Sequence, residues 1–270
     1  MFNLTPMVKN ILIINVVLLI IESFLSIDLS GIFGVHYVFG EDFFIFQYVT
    51  YMWLHAGMWH LFSNMFAVLI FGPMLERVWG QKRFLTFYLI TGIGAGLLYG
   101  VVDTIEKNDI KAKAEVYSYS PNPDDFSIFI VNNKASNFTI THKGRTTTLA
   151  ELSDEFYDNP NDDSLKNTTT SVVEEIYRGV TRSNMVGASG AVFGILLAFA
   201  ILFPNTELLL LFPPIPIKAK YLVLFYGLYE LYSEFNRSAG DNVAHLAHLS
   251  GMLIAFIILK YWQRTRGNFY

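Results

Sequence analysis

Apolar residues in this chain fall into blocks long enough to cross a lipid bilayer, and that distribution limits the fold more than any other feature. A spanning helix needs about 20 apolar residues. The blocks are Met7–Ile27, His60–Val78, Phe84–Val102, Ser189–Phe203, Ala219–Phe235 and Val243–Trp262. Of the 270 residues, 53% are hydrophobic and 16% charged. A soluble domain would carry about a quarter charged residues. The expected class is therefore an all-α polytopic membrane protein with six transmembrane helices. Met7–Ile27 exceeds a signal-peptide core and precedes no small-residue cleavage site, so it reads as a retained helix.

Orientation follows from the short loops. With both termini cytoplasmic, the inner side holds Lys9, Arg77, Lys82, Arg83, Lys218, Lys220, Lys260, Arg264 and Arg266, and the outer short loops hold Arg237. That asymmetry satisfies the positive-inside rule. The chain has no cysteine, which excludes disulfides, thiolate catalysis and Cys-based metal sites within it. No basic patch suits nucleic acid.

Between the third and fourth helices lies a polar segment with 14 acidic and 9 basic residues. It divides the chain into residues 1–102, an extracytoplasmic insertion at 103–182, and residues 183–270. A bare loop of that length is unusual, so the insertion is expected to be a small α/β domain or partly disordered. Alternating residues suggest a hairpin with strands near Phe126–Val131 and Asn137–His142. Capping-box spacing at Thr148–Glu151 and Ser171–Glu174 suggests two short helix starts. Leu208–Phe212, followed by Pro213, Pro214 and Pro216, is too short to span and reads as an interfacial loop.

The fourth block is also too short to cross, with Pro204 at its end. Its start should lie below the membrane surface, reached by irregular backbone. Such backbone is tolerated only where protein shields it or where it lines a watery cavity. Ser189 stands there, in "VGASGAVFG" (Val186–Gly194). One reading is helix packing through Gly190 and Gly194. The other is a nucleophile, with Gly187 admitting a substrate carbonyl and the Ser189 N–H donating to an oxyanion.

A serine nucleophile needs a base. The last block holds two histidines in "NVAHLAHLSGM" (Asn242–Met252). His248, Gly251 and Ala255 share one helix stripe, whose small residues would pack against Gly190 and Gly194. From His245, the corresponding positions are His248 and Met252, both bulky. His248 is thus the better base, and His245 a support or entrance residue. No third, acidic partner is apparent. Phe193, one turn after Ser189, could hold the His248 ring by stacking. His60 and Asn64, also one turn apart, are either a helix-cap histidine and an interhelical glue residue or two oxyanion donors.

"HAGMWHLFSN", "GASGAVFG" and "AHLSG", in this order, resemble the motifs of the rhomboid intramembrane serine proteases of the bacterial six-helix type. The resemblance covers Met7–Val102 and Arg182–Trp262. It implies a Ser189–His248 dyad, with His60, Asn64 and the Ser189 N–H stabilising the oxyanion and Gly251 in the family's His-x-x-Gly pattern, while the spacings above put Gly187, Gly190, Phe193 and His245 in support. It also implies transmembrane-protein substrates, no cofactor or metal, and residence in a bacterial cytoplasmic membrane. Glu76 and Arg77 match a structural pair of the family. A Trp-Arg pair often found in the family's first loop is missing, and the insertion is unusual.

Two rivals come from other classes. One is a rhomboid-like binder of membrane helices without catalysis. The other is a membrane metal site built from His55, His60, His245 and His248, with Glu230 as the intramembrane acid.

Overall fold

In a computed structural model, residues 4–25, 27–209, 214–236 and 243–266 are described, with side chains as far as Arg264. The order of elements is α1 (Pro6–Leu25), α2 (Leu29–Phe33), α3 (Gln47–Thr50), a 3-10 turn (Tyr51–Trp53), α4 (Met58–Trp79), α5 (Gln81–Tyr119), α6 (Pro123–Asn132), β1 (Thr139–His142), β2 (Arg145–Thr148), α7 (Leu149–Asp158), α8 (Asp163–Arg182), α9 (Ser189–Leu202), β3 (Glu207–Leu209), β4 (Pro216–Lys218), α10 (Ala219–Phe235) and α11 (His245–Arg266).

Each apolar block carries a helix. Among the described residues, four helices are long and apolar enough to cross a membrane: Pro6–Leu25, Met58–Trp79, Gln81–Tyr119 and His245–Arg264. α9 has 14 residues and α10 has 17, so both fall short of that length. With its apolar helices the chain is an integral membrane protein, mostly helical. Arg237 and Leu210–Pro213 lie outside the described residues, so the outer cation and most of the expected interfacial loop are not placed. Where that loop begins, Glu207–Leu209 instead pairs antiparallel with Pro216–Lys218.

Two compact units emerge. The first comprises residues up to 101, 184–236 and those from 243 onward. α9 is its hub. Nearly every face of this helix is buried, against α11, α4 and α10. An apolar helix shielded all round has no lipid-facing stripe to keep. Gly190 and Gly251 let α9 and α11 approach until backbone touches backbone: a Cβ on Gly251 would sit 2.0 Å from the Gly190 carbonyl oxygen. One turn on, a Cβ on Gly194 would meet Ala255 Cβ at 3.3 Å. Phe71 on α4 packs edge-on against Phe199 on α9, centroids 4.9 Å apart. At the far end of α4, the buried Glu76 carboxylate accepts from Thr5 Oγ1 and from the N–H groups of Met7 and Val8. It thereby satisfies orphan donors at the start of α1.

The second unit, residues 102–183, has a separate core in which Tyr117, Phe126, Phe129, Ile130, Leu152 and Phe156 are buried. The expected strand at Phe126–Val131 is instead part of α6. Asn122 caps this helix, Pro123 opens it, and Phe126, Phe129 and Ile130 share one helical face. A helix-start signal and an i, i+3, i+4 spacing outweighed the alternating pattern. Thr139–His142 is a strand, and its partner is Arg145–Thr148. Thr148 and Glu151 form the full capping box of α7. Ser171–Glu174 starts no helix: it lies inside α8, which Asp162 caps nine residues earlier.

Candidate active site

Ser189 is the first residue of α9, half-buried, with its N–H among those that a helix start leaves without an internal acceptor. The backbone before it is held from several sides. Val35 and Met185 exchange both N–H···O bonds at 2.9 Å, and Asn184 Nδ2 donates to the Ser30 carbonyl. The Gly187 N–H donates to the Tyr51 carbonyl at 3.0 Å, while Tyr51 Oη donates to Gly92 O at 2.7 Å. The irregular stretch ahead of α9 is thus locked to the loop between α1 and α4.

Gly187 adopts φ +130°, a conformation that L side chains rarely take. Its missing side chain also leaves needed room. A Cβ there would lie 2.7 Å from His60 Cε1, 2.8 Å from His60 Nε2 and 3.7 Å from Ser189 Oγ. The His60 ring and the Ser189 hydroxyl therefore converge on the bare face of Gly187. The Ala56 N–H points to His60 Nδ1 at 3.4 Å. A backbone amide can only donate, so Nδ1 accepts and, in the neutral ring, Nε2 carries the hydrogen. That N–H faces the space over Gly187. Asn64, one turn along α4, is buried and donates Nδ2 to the His60 carbonyl at 3.1 Å. Among the described residues, its second amide hydrogen has no acceptor.

His248 lies on the first turn of α11, buried, stacked on Phe193 with centroids 4.2 Å apart and planes 8° apart. The absent acid partner is a correction: Glu230 fills that place. His248 Nδ1 lies 2.8 Å from Glu230 Oε2, and His245 Nδ1 lies 2.5 Å from the same oxygen. All three side chains are buried. The signal in the sequence was an acid inside an apolar block, which is costly unless paired. His245 is accordingly a carboxylate partner, facing into the protein. His55 is buried behind His60, its ring edge-on at 5.0 Å. Of the suggested metal set, His245 and His248 join Glu230, whereas His55 and His60 form a separate ring pair.

The rhomboid domain model matches residues 43–108 and 166–264, more than half of the chain, reaching into both ends of the 103–182 insertion. The chain belongs to the rhomboid family. It is 52% identical over 50 residues to RHOMBOID-like protein 6, mitochondrial, of Arabidopsis thaliana, covering 18% of this chain and 16% of that protein. It is 32% identical over 69 residues to Bacillus subtilis (strain 168) YdcA, described as a candidate rhomboid protease, covering 26% and 35%. It is also 34% identical over 62 residues to Inactive RHOMBOID-like protein 8 of Arabidopsis thaliana, covering 23% and 17%. These matches span about a sixth to a third of the relatives' lengths.

Proposed function

We propose that this protein is an intramembrane serine endopeptidase that cleaves transmembrane segments of other membrane proteins near the outer boundary of the bilayer. Its six apolar helices all take part in the membrane fold, with both termini cytoplasmic and the insertion outside. The observation that carries this reading is the convergence of His60 Nε2 and Ser189 Oγ over Gly187. In the proposed reaction, His248 Nε2 accepts the Ser189 proton as Oγ attacks the substrate carbonyl. The oxyanion takes hydrogen bonds from His60, Asn64 and the Ser189 N–H. His248 then gives the proton to the leaving amine. Water hydrolyses the acyl-enzyme in a second round of the same proton transfers. The reaction needs no metal or cofactor. Helix α9 is short enough, at about 1.5 Å per residue, to leave room above Ser189 for that water.

Labelling of the purified full chain by a fluorophosphonate probe tests the assignment. Wild type and His245→Ala should label, and Ser189→Ala and His248→Ala should not. A wild type that neither labels nor cuts any reconstituted transmembrane substrate would favour a helix-binding protein without catalysis.

A further inference from the structure

Glu230 Oε2 sits between two imidazoles, 2.5 Å from His245 Nδ1 and 2.8 Å from His248 Nδ1. Its helix, α10, packs against both α9 and α11, so a side chain from a third helix reaches the base. An ionised carboxylate only accepts hydrogen bonds, which requires a hydrogen on each Nδ1 and leaves Nε2 of each neutral ring as an acceptor. For His248 that is the tautomer a general base for serine requires. Phe193 fixes the plane of the ring by stacking, but stacking cannot choose which nitrogen holds the hydrogen. Glu230 can.

The same three side chains could hold a metal ion, but as placed in this structure their spacing is that of hydrogen bonds. Zinc holds nitrogen and oxygen ligands at about 2.0–2.2 Å, which separates tetrahedral neighbours by about 3.3–3.5 Å. The observed 2.5 and 2.8 Å are hydrogen-bond lengths.

We propose that Glu230 is a positioning residue that turns the Ser189–His248 pair into a three-membered relay, with His245 clamping the carboxylate from its other side. The inference rests on the protease reading above. In the acylation step the proton leaves Ser189 Oγ for His248 Nε2, the hydrogen on Nδ1 stays in place, and Glu230 faces the resulting imidazolium with a full negative charge. No proton reaches the carboxylate.

The test uses the full chain in lipid nanodiscs. Histidine 15N spectra of wild type, assigned with His245→Asn and His248→Asn, should place the hydrogen of neutral His248 on Nδ1. Fluorophosphonate labelling of Ser189 should slow on the order of 10²–10⁴-fold in Glu230→Gln, through kcat rather than KM for a peptide substrate, and Glu230→Asp should recover most of the loss. A wild-type His248 with its hydrogen on Nε2 overturns the relay, and needs no variant to fold. Wild-type labelling rates in folded Glu230→Gln also overturn it while leaving the protease reading intact. Absent labelling in wild type overturns both. Labelling that is lost on chelation and restored by zinc overturns the relay in favour of a metal centre.

Discussion

The His248 ring lies flat on the Phe193 ring, planes 8° apart and centroids 4.2 Å apart. The proposed base is thereby tied to the helix of the proposed nucleophile, since Phe193 is one helical turn from Ser189 on α9. A rotation of His248 must break the stack.

Phe193→Ala should free that rotation. Stacking of this kind contributes about 0.5–1.5 kcal/mol beyond burial. Misplacing a reacting group by about 1 Å can cost about 10²-fold. Probe labelling should fall by about 10–100-fold, while Phe193→Tyr, which keeps the ring, should stay within a few-fold of wild type on the same scale.

Gly251→Ala should loosen the α9–α11 pair. The added Cβ would fall 2.0 Å from the Gly190 carbonyl oxygen, a backbone atom that cannot rotate away. Overpacking of this kind costs about 1–3 kcal/mol. A lower thermal midpoint in detergent should appear together with loss of labelling. An unchanged midpoint would show that the helices are less tightly apposed.

Gly187→Ala should separate chemistry from fold. The substitution forces a side chain into φ +130° and into the His60 ring, whose Nε2 would lie 2.8 Å away. Displacing one oxyanion donor costs about 10²–10³-fold in rate. The turnover of Gly187→Ala should approach that of His60→Ala, and combining the two should add little.

Acid should weaken the fold through His55. Burial, with His60 as the lesser cause, pushes this imidazole from its ordinary 6.5 down to about 3. Among the described residues, neither ring nitrogen has a hydrogen-bond partner. The folded chain therefore resists a proton that the unfolded chain takes up. His55's contribution to stability is complete above about pH 6.5 and is lost progressively toward pH 3, at no more than about 1.4 kcal/mol per pH unit. His55→Phe should flatten the melting temperature across that window relative to wild type. Parallel curves would show that His55 takes no part.

Much of the site could be read from local spacing. His248 with Gly251 and Ala255 on one stripe and His60 one turn from Asn64 are patterns within a single helix, and Ser189 between two glycines marks the start of one. Helical periodicity alone places those residues on common faces. The insertion was harder. Phe126–Val131 satisfied an alternating and a helical pattern at once, and the deciding cue lay outside the run, in Asn122-Pro123. Glu230 was visible as an odd acid in an apolar block, but its target was not. Fifteen residues separate it from His245, and residues 237–242 between them lie outside those described.

The sequence by itself determined that this chain lies in a membrane, where its apolar helices fall and which of their faces carry small or polar side chains. These properties depend on hydropathy and on the 3.6-residue period, both local. Only the tertiary structure decided that Gly187 opens toward His60 and Ser189 together, that His55 is sealed behind them, and that one carboxylate oxygen serves two histidines. Such contacts depend on how each helix is rotated and crossed against its neighbours. Packing across the whole bundle sets that rotation, and no stretch of chain encodes it alone.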